Sequence, residues 1–125
     1  MSEVTEFFAN FRRGILTSIN TAMPAKILSY DEVKCTAKIQ PLFKAKEEGK
    51  EPVNLPPIEG VPALKQKYRV NGGAVQTYKP VYNVGDVVLV VFSQRALDGA
   101  KKGNIVYPGT NRMFSIHDAV IVGLF

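Results

Sequence analysis

The chain has 125 residues, 46% of them hydrophobic and 22% charged, with a net charge of +5, the size and composition of one globular domain. Its longest apolar run, Val87 to Phe92, is far short of the roughly 20 residues that cross a bilayer, and the first residues lack the basic-then-apolar layout of a signal peptide. A single cysteine, Cys35, excludes an internal disulfide and fits a reducing compartment.

Residues 3 to 20 read as an amphipathic helix. Val4, Phe7, Phe8, Phe11, Ile15 and Ile19 recur at three- and four-residue steps, with Glu3, Glu6, Arg12 and Arg13 on the other side. Ser2 fits an N-cap, and Glu3 and Glu6 suit the positive end of the helix dipole. Gly14 weakens such a helix by roughly 1 kcal/mol relative to alanine, and Pro24 closes the segment. The phenylalanine stripe suits docking on the chain's own barrel or on a neighbouring subunit. A membrane surface is the weaker reading, because the polar face is not enriched in basic residues.

From Ala25 the periodicity becomes two. Lys26–Tyr30 reads as a short strand, Asp31–Glu32 as a turn, and Val33–Phe43 as a longer strand. In the longer strand Val33, Cys35, Ala37 and Ile39 share one face, while Lys34, Thr36, Lys38 and Gln40 share the other. That alternation makes Cys35 a small core side chain rather than a reactive thiol.

Lys44 to Pro52 has mixed charge and no apolar face, and reads as a solvated loop. The cluster Pro56-Pro57-Ile58-Glu59-Gly60-Val61-Pro62 cannot be the middle of a sheet, so it is expected to run extended across the barrel wall before the next strand. Lys65–Val70 and Ala74–Val81 flank Asn71-Gly72-Gly73, a hairpin signal. Gly85-Asp86 then turns into Val87–Phe92, which is rich in β-branched residues and has no polar alternation. Both faces of this strand need cover. Gly99–Thr110 reads as a long exposed loop and Ala119–Val122 as the closing strand.

The fold expected is mainly β: a small OB-type Greek-key barrel over residues 24–125, preceded by an N-terminal amphipathic helix within residues 1–23. In the valine-rich strand, Val87, Leu89 and Val91 point one way, and Val88, Val90 and Phe92 the other. A small barrel has one interior. One triplet must therefore be covered from outside, by the helix of the same chain or by a neighbouring subunit.

Tests for chemistry give little. Ser115, His117 and Asp118 carry the letters of a hydrolase triad. On an extended segment, however, Asp118 faces away from the other two, whereas a triad needs its carboxylate on the imidazole. One histidine and one cysteine cannot build a structural zinc site, and the acids are too scattered to hold a hard cation. No glycine-rich phosphate loop precedes a helix. No catalytic residue, cofactor or metal is expected.

Charge leaves one competing function. Residues 1–59 hold eight basic and eight acidic side chains, but residues 60–125 hold eight basic (Lys65, Lys67, Arg69, Lys79, Arg95, Lys101, Lys102, Arg112) and three acidic (Asp86, Asp98, Asp118). That imbalance suits a polyanion surface or the side facing an acidic protein neighbour. OB barrels bind single-stranded nucleic acid through aromatics set among basic residues, so a single-stranded nucleic-acid-binding protein is the alternative function. Lys65-Gln66-Lys67-Tyr68-Arg69 is its best segment. In a strand, Tyr68 lies opposite the three cations, and Lys34 and Lys38 have no ring beside them, so nucleic acid is not the expected partner.

Three motifs carry a resemblance: Pro56–Pro62, Gly85–Asp98 (GDVVLVVFSQRALD) and Arg112–Val120 (RMFSIHDAV). In this order, spread over most of residues 24–125, they resemble the N-terminal OB-fold domain of phage baseplate central-spike proteins, the trimeric needles of contractile tails. The resemblance implies a structural, non-enzymatic component of a contractile phage tail or phage-like injection device. Its expected role is a collar or adaptor at the baseplate hub or central spike. It also implies a homotrimer, contacts with other hub, spike or needle proteins, and a place in the virion's tail baseplate after assembly in the bacterial host cytoplasm, without stable membrane insertion. Members of that family often hold a metal at the needle tip through paired histidines, which this chain lacks. They typically continue from the barrel into a needle. This chain ends at Phe125, so a truncated spike and an adaptor both stay open.

Overall fold

The computed structural model describes residues 2–45, 49–109 and 111–125. Lys46, Glu47 and Glu48 of the expected 44–52 loop, and Thr110 of the later one, lie outside them.

Helix α1 spans Glu3–Ser18, with the Ser2 side chain accepting from the Thr5 amide as the N-cap. It ends at Ser18, and Pro24 does not close it. Pro24 lies near the start of strand β1 (Ala22–Asp31), paired with Leu89, where a missing N–H costs the ladder least.

Asp31 Oδ1 then accepts from the amides of Val33 and Lys34, at 2.9 and 3.1 Å. This side-chain turn lengthens the bend, so β2 begins at Thr36 and runs to Pro41. Val33 is consequently 84% exposed and does not join the core series expected for it. Cys35 is 2% exposed, but as a turn residue with φ of 52° rather than a strand residue.

The expected loop after Phe43 contains a short ladder instead, β3 (Lys44–Ala45) with β4 (Val53–Asn54). The proline cluster also departs from expectation. Ile58–Pro62 forms β5, antiparallel to β2, with Ala37 opposite Val61 and Ile39 opposite Ile58. Three conditions reconcile it with prolines. Pro56 and Pro57 precede the strand, Pro62 ends it, and β5 lies at one end of the hydrogen-bonded order, where a missing donor is tolerated. Gly60, with φ of 66°, sits where the register shifts.

The Asn71-Gly72 hairpin forms, with strands shorter than the expected 65–70 and 74–81: β6 (Gln66–Tyr68) pairs with β7 (Gln76–Tyr78). Both turn residues have positive φ, 51° and 73°, as a type I′ turn requires. It stands as a separate two-stranded sheet. Strand β8 (Val87–Phe92) follows a turn closed by Asp86 Oδ2 accepting from the Asn83 amide at 2.8 Å. Strand β9 is Ala119–Leu124.

The five-stranded sheet has the order β5-β2-β1-β8-β9. Its two ends meet through a parallel bridge between Ala63 and Ile121, with the Leu64 amide donating to the Ile121 carbonyl at 3.2 Å. This is a small OB-type barrel, as expected. Its interior is filled by Ala25, Ile27, Ala37, Ile39, Val61, Val88, Val90, Phe92 and Ile121.

Val88, Val90 and Phe92 are therefore the inward triplet. Val87 and Leu89 are half-buried and Val91 is 38% exposed. Helix α1 buries none of its residues, so within one chain it does not dock on the barrel.

Candidate functional site

Helix α1 carries a continuous exposed apolar stripe. Phe7, Phe8 and Phe11 are 59–63% exposed and contact one another in a row. The Phe7 and Phe8 rings meet edge-on at 5.5 Å, and Phe7 stacks on Phe11 at 6.3 Å. Ile15, Leu16 and Ile19 extend the exposed stripe toward the barrel. The spacing that predicts the stripe from sequence is the spacing seen. What the sequence leaves open is whether the barrel covers it, and the structure answers that it does not.

Among the described residues, hydrogen bonds tie the segment after the helix to the barrel. The Asn20 amide and side chain both donate to the Phe114 carbonyl, and the Phe92 amide donates to the Thr21 carbonyl at 3.0 Å. Beside this segment lies a groove of about 860 Å³, lined by Leu16, Ile19, Met23, Phe43 and Leu55, with Arg13 and Lys44 adding charge.

A second apolar surface is the outer side of β1, β8 and β9. Paired residues share a side of a sheet, so Ala22, Val91 and Val120 form one row, and Pro24, Leu89 and Gly123 the next. Val122 is also exposed beside them.

The Ser115, His117 and Asp118 segment is not extended, as expected, but forms a 3-10 turn over Ile116–Asp118, whose N-cap is Ser115. The Ser115 hydroxyl accepts from the His117 amide at 3.1 Å. Asp118 is buried, and both its oxygens face Arg112, at 2.7 Å from Nε and 2.8 Å from Nη2. Leu97 adds its amide at 3.2 Å, and Asp98 stands 3.4 Å from the same guanidinium. The Arg112 hydrogen bonds hold the Asp118 carboxyl below its usual range, against the opposing effect of burial, and raise the Arg112 value in turn. The carboxylate that a triad needs on the imidazole is therefore committed to an arginine.

This ion pair was not singled out in the sequence, although both partners lie in the RMFSIHDAV motif. It ties the long segment between β8 and β9 to the barrel, as do the Ser93 amide on the Asp118 carbonyl and the Phe114 amide on the Gln94 carbonyl.

The basic segment stays outside the barrel. On the β6–β7 hairpin, Tyr68 pairs with Gln76 and Tyr78 with Gln66, and the two rings lie 6.0 Å apart. Lys67 pairs with Thr77 on the opposite face, so stacking rings and cations are separated as the sequence spacing implies. Lys34 belongs to the turn after β1 rather than to β2, and Lys38 pairs with Glu59 at 3.4 Å. Among the described residues no group of three or more His, Cys, Asp or Glu side chains is placed to hold a metal. Among those residues no helix is long and apolar enough to cross a membrane.

Set against models of known protein families, the chain matches the phage protein Gp138 N-terminal domain over residues 23–123. The chain belongs to the Gp138 N-terminal domain family. The match runs from Met23 in β1 to Gly123 in β9 and so takes in all but the outermost residues of the barrel strands, while α1 precedes it. A search of curated proteins finds no match. The Gp138 N-terminal domain is a phage protein domain, which bears out the resemblance read from the three motifs and fits a structural part of a virion.

Proposed function

We propose that this Gp138-family domain is a structural part of a contractile phage tail or phage-derived injection device, acting as a homotrimeric collar or adaptor at the baseplate hub or central spike. The observation that carries the reading is the unburied phenylalanine stripe of α1, on a barrel whose outer β1-β8-β9 side is also apolar. An apolar surface of this kind on a folded phage domain suits assembly against copies of itself and other tail proteins. The work done is packing rather than chemistry. Asp118, which would orient the imidazole of a Ser-His-Asp triad, is held by Arg112.

The single-stranded nucleic-acid alternative is not adopted, because Tyr68 and Lys67 lie on opposite faces of the hairpin. Mass spectrometry of purified tail particles tests the reading directly. The chain is expected there at a copy number that is a multiple of three per tail. Its absence from intact particles would remove the structural role.

A further inference from the structure

The β6–β7 hairpin has no counterpart in the five strands of the barrel and is inserted between β5 and β8. All six of its ladder residues are exposed. From Gly60 to Gly85 the sequence carries four cations, Lys65, Lys67, Arg69 and Lys79, and no acid. Lys67 pairs with Thr77 on one face of the ladder, and Lys65, Arg69 and Lys79 directly flank the ends of its two strands. All four are exposed, and none makes an ion pair among the described residues. The other face holds Tyr68, Tyr78, Gln66 and Gln76. One short arm therefore carries Lys67 on one face with three more exposed cations at its strand ends, and a tyrosine–glutamine pair of rows on the other face, all uncovered.

We infer that the hairpin is a docking arm whose cations seat on an acidic protein surface. A nucleic-acid strand laid on the cations leaves the tyrosines bare, and one stacked on the tyrosines leaves the cations without partners. A protein cleft with carboxylates on one wall covers both faces at once. Tyrosines supply contact area at low entropic cost, and the cations steer and orient the approach. The inference goes beyond the proposed structural role and does not depend on the trimer.

Fluorescence anisotropy on the full chain at about 0.15 M salt, with a labelled oligoglutamate peptide and an oligothymidylate of equal charge, tests it. Oligoglutamate is expected to bind more tightly than oligothymidylate. Lys67→Glu with Arg69→Glu should weaken oligoglutamate binding at least about tenfold, because it sets like charges against each other. Lys65→Glu with Lys79→Glu should act similarly, whereas Lys101→Glu with Lys102→Glu, of the same net charge, should leave binding intact. Tighter binding of oligothymidylate, lost on Tyr68→Ala, would assign the arm to nucleic acid and overturn the inference. Equal loss in all three double variants, or no binding of oligoglutamate at all, would overturn it as well.

Discussion

Asp118 shows how one side chain holds a long segment to a small barrel. Its two oxygens accept from Nε and Nη2 of Arg112 and from the Leu97 amide, so removing it takes a buried acceptor from two guanidinium donors and a backbone N–H at once. Stranding a fully buried partner costs about 3–5 kcal/mol. Here the Arg112 side chain keeps some contact with water, so Asp118→Ala is expected to cost about 2–3 kcal/mol, roughly 10 °C in melting temperature.

The effect should also depend on pH. The folded-state carboxyl value is depressed below the ordinary 3.8, first by Arg112. The associated stabilisation is therefore present above 3.8 and is lost as pH falls through the folded value. Thermal melts of wild type and Asp118→Asn should converge in acid and separate toward neutrality. A gap that stays constant with pH would mean that the carboxylate's charge contributes nothing.

At the scale of elements, what was legible had a local cause. Helix α1 announces itself through its three- and four-residue spacing, and the hairpin through Asn71-Gly72, whose positive φ values few other residue pairs adopt easily. Strand β8 announces itself through its valines, and the inward triplet follows once a single interior is assumed. The barrel strand β5 was hidden because prolines normally argue against a sheet. Only the topology shows that it lies at an end of the hydrogen-bonded order, where that argument lapses.

Val33 was misplaced for a different reason. The Asp31 side chain satisfies two amides of the turn and delays the strand, a side-chain effect that alternation does not register. Cys35 ended up buried all the same, so a correct burial rested on an incorrect element. The Arg112–Asp118 pair was legible only as two charges in one motif. Their approach depends on how the long segment folds back, which spacing does not encode.

The new strand has its own test. Gly60 has φ of 66° and nothing within 4 Å of the place a Cβ would occupy, so alanine there meets backbone strain and no clash. Gly60→Ala is expected to lower stability by about 1–2 kcal/mol. Gly109→Ala, whose site is also open and whose φ lies outside the left-handed region, should be close to neutral. Equal melting temperatures for the two variants would mean that β5 does not hold the bulged register described.

For the whole molecule the question is what covers the helix. Three phenylalanines, each contributing about 1.5–3 kcal/mol when fully buried, give a gross term comparable to the lower estimates of the cost of association, about 4–15 kcal/mol. The stripe alone therefore leaves an assembly marginal, and the apolar side of β1, β8 and β9 has to contribute to a stable one. A closed three-fold arrangement lets each chain offer its helix and accept a neighbour's, so that both surfaces are covered without an open-ended filament.

Light scattering coupled to size-exclusion chromatography at low micromolar concentration should then report about 41 kDa, three times the 13.8 kDa chain. Phe8→Asp with Phe11→Asp should return the chain to 13.8 kDa. Because no residue of α1 is buried and Phe8 and Phe11 are 61% and 59% exposed, the same variant should keep the barrel folded, with its strand signature in circular dichroism unchanged. A wild-type chain that elutes as a clean monomer would refute self-assembly in isolation and leave the stripe to another tail protein. A variant that loses the barrel signature together with the mass would show that the helix packs on its own chain, against the open arrangement described here.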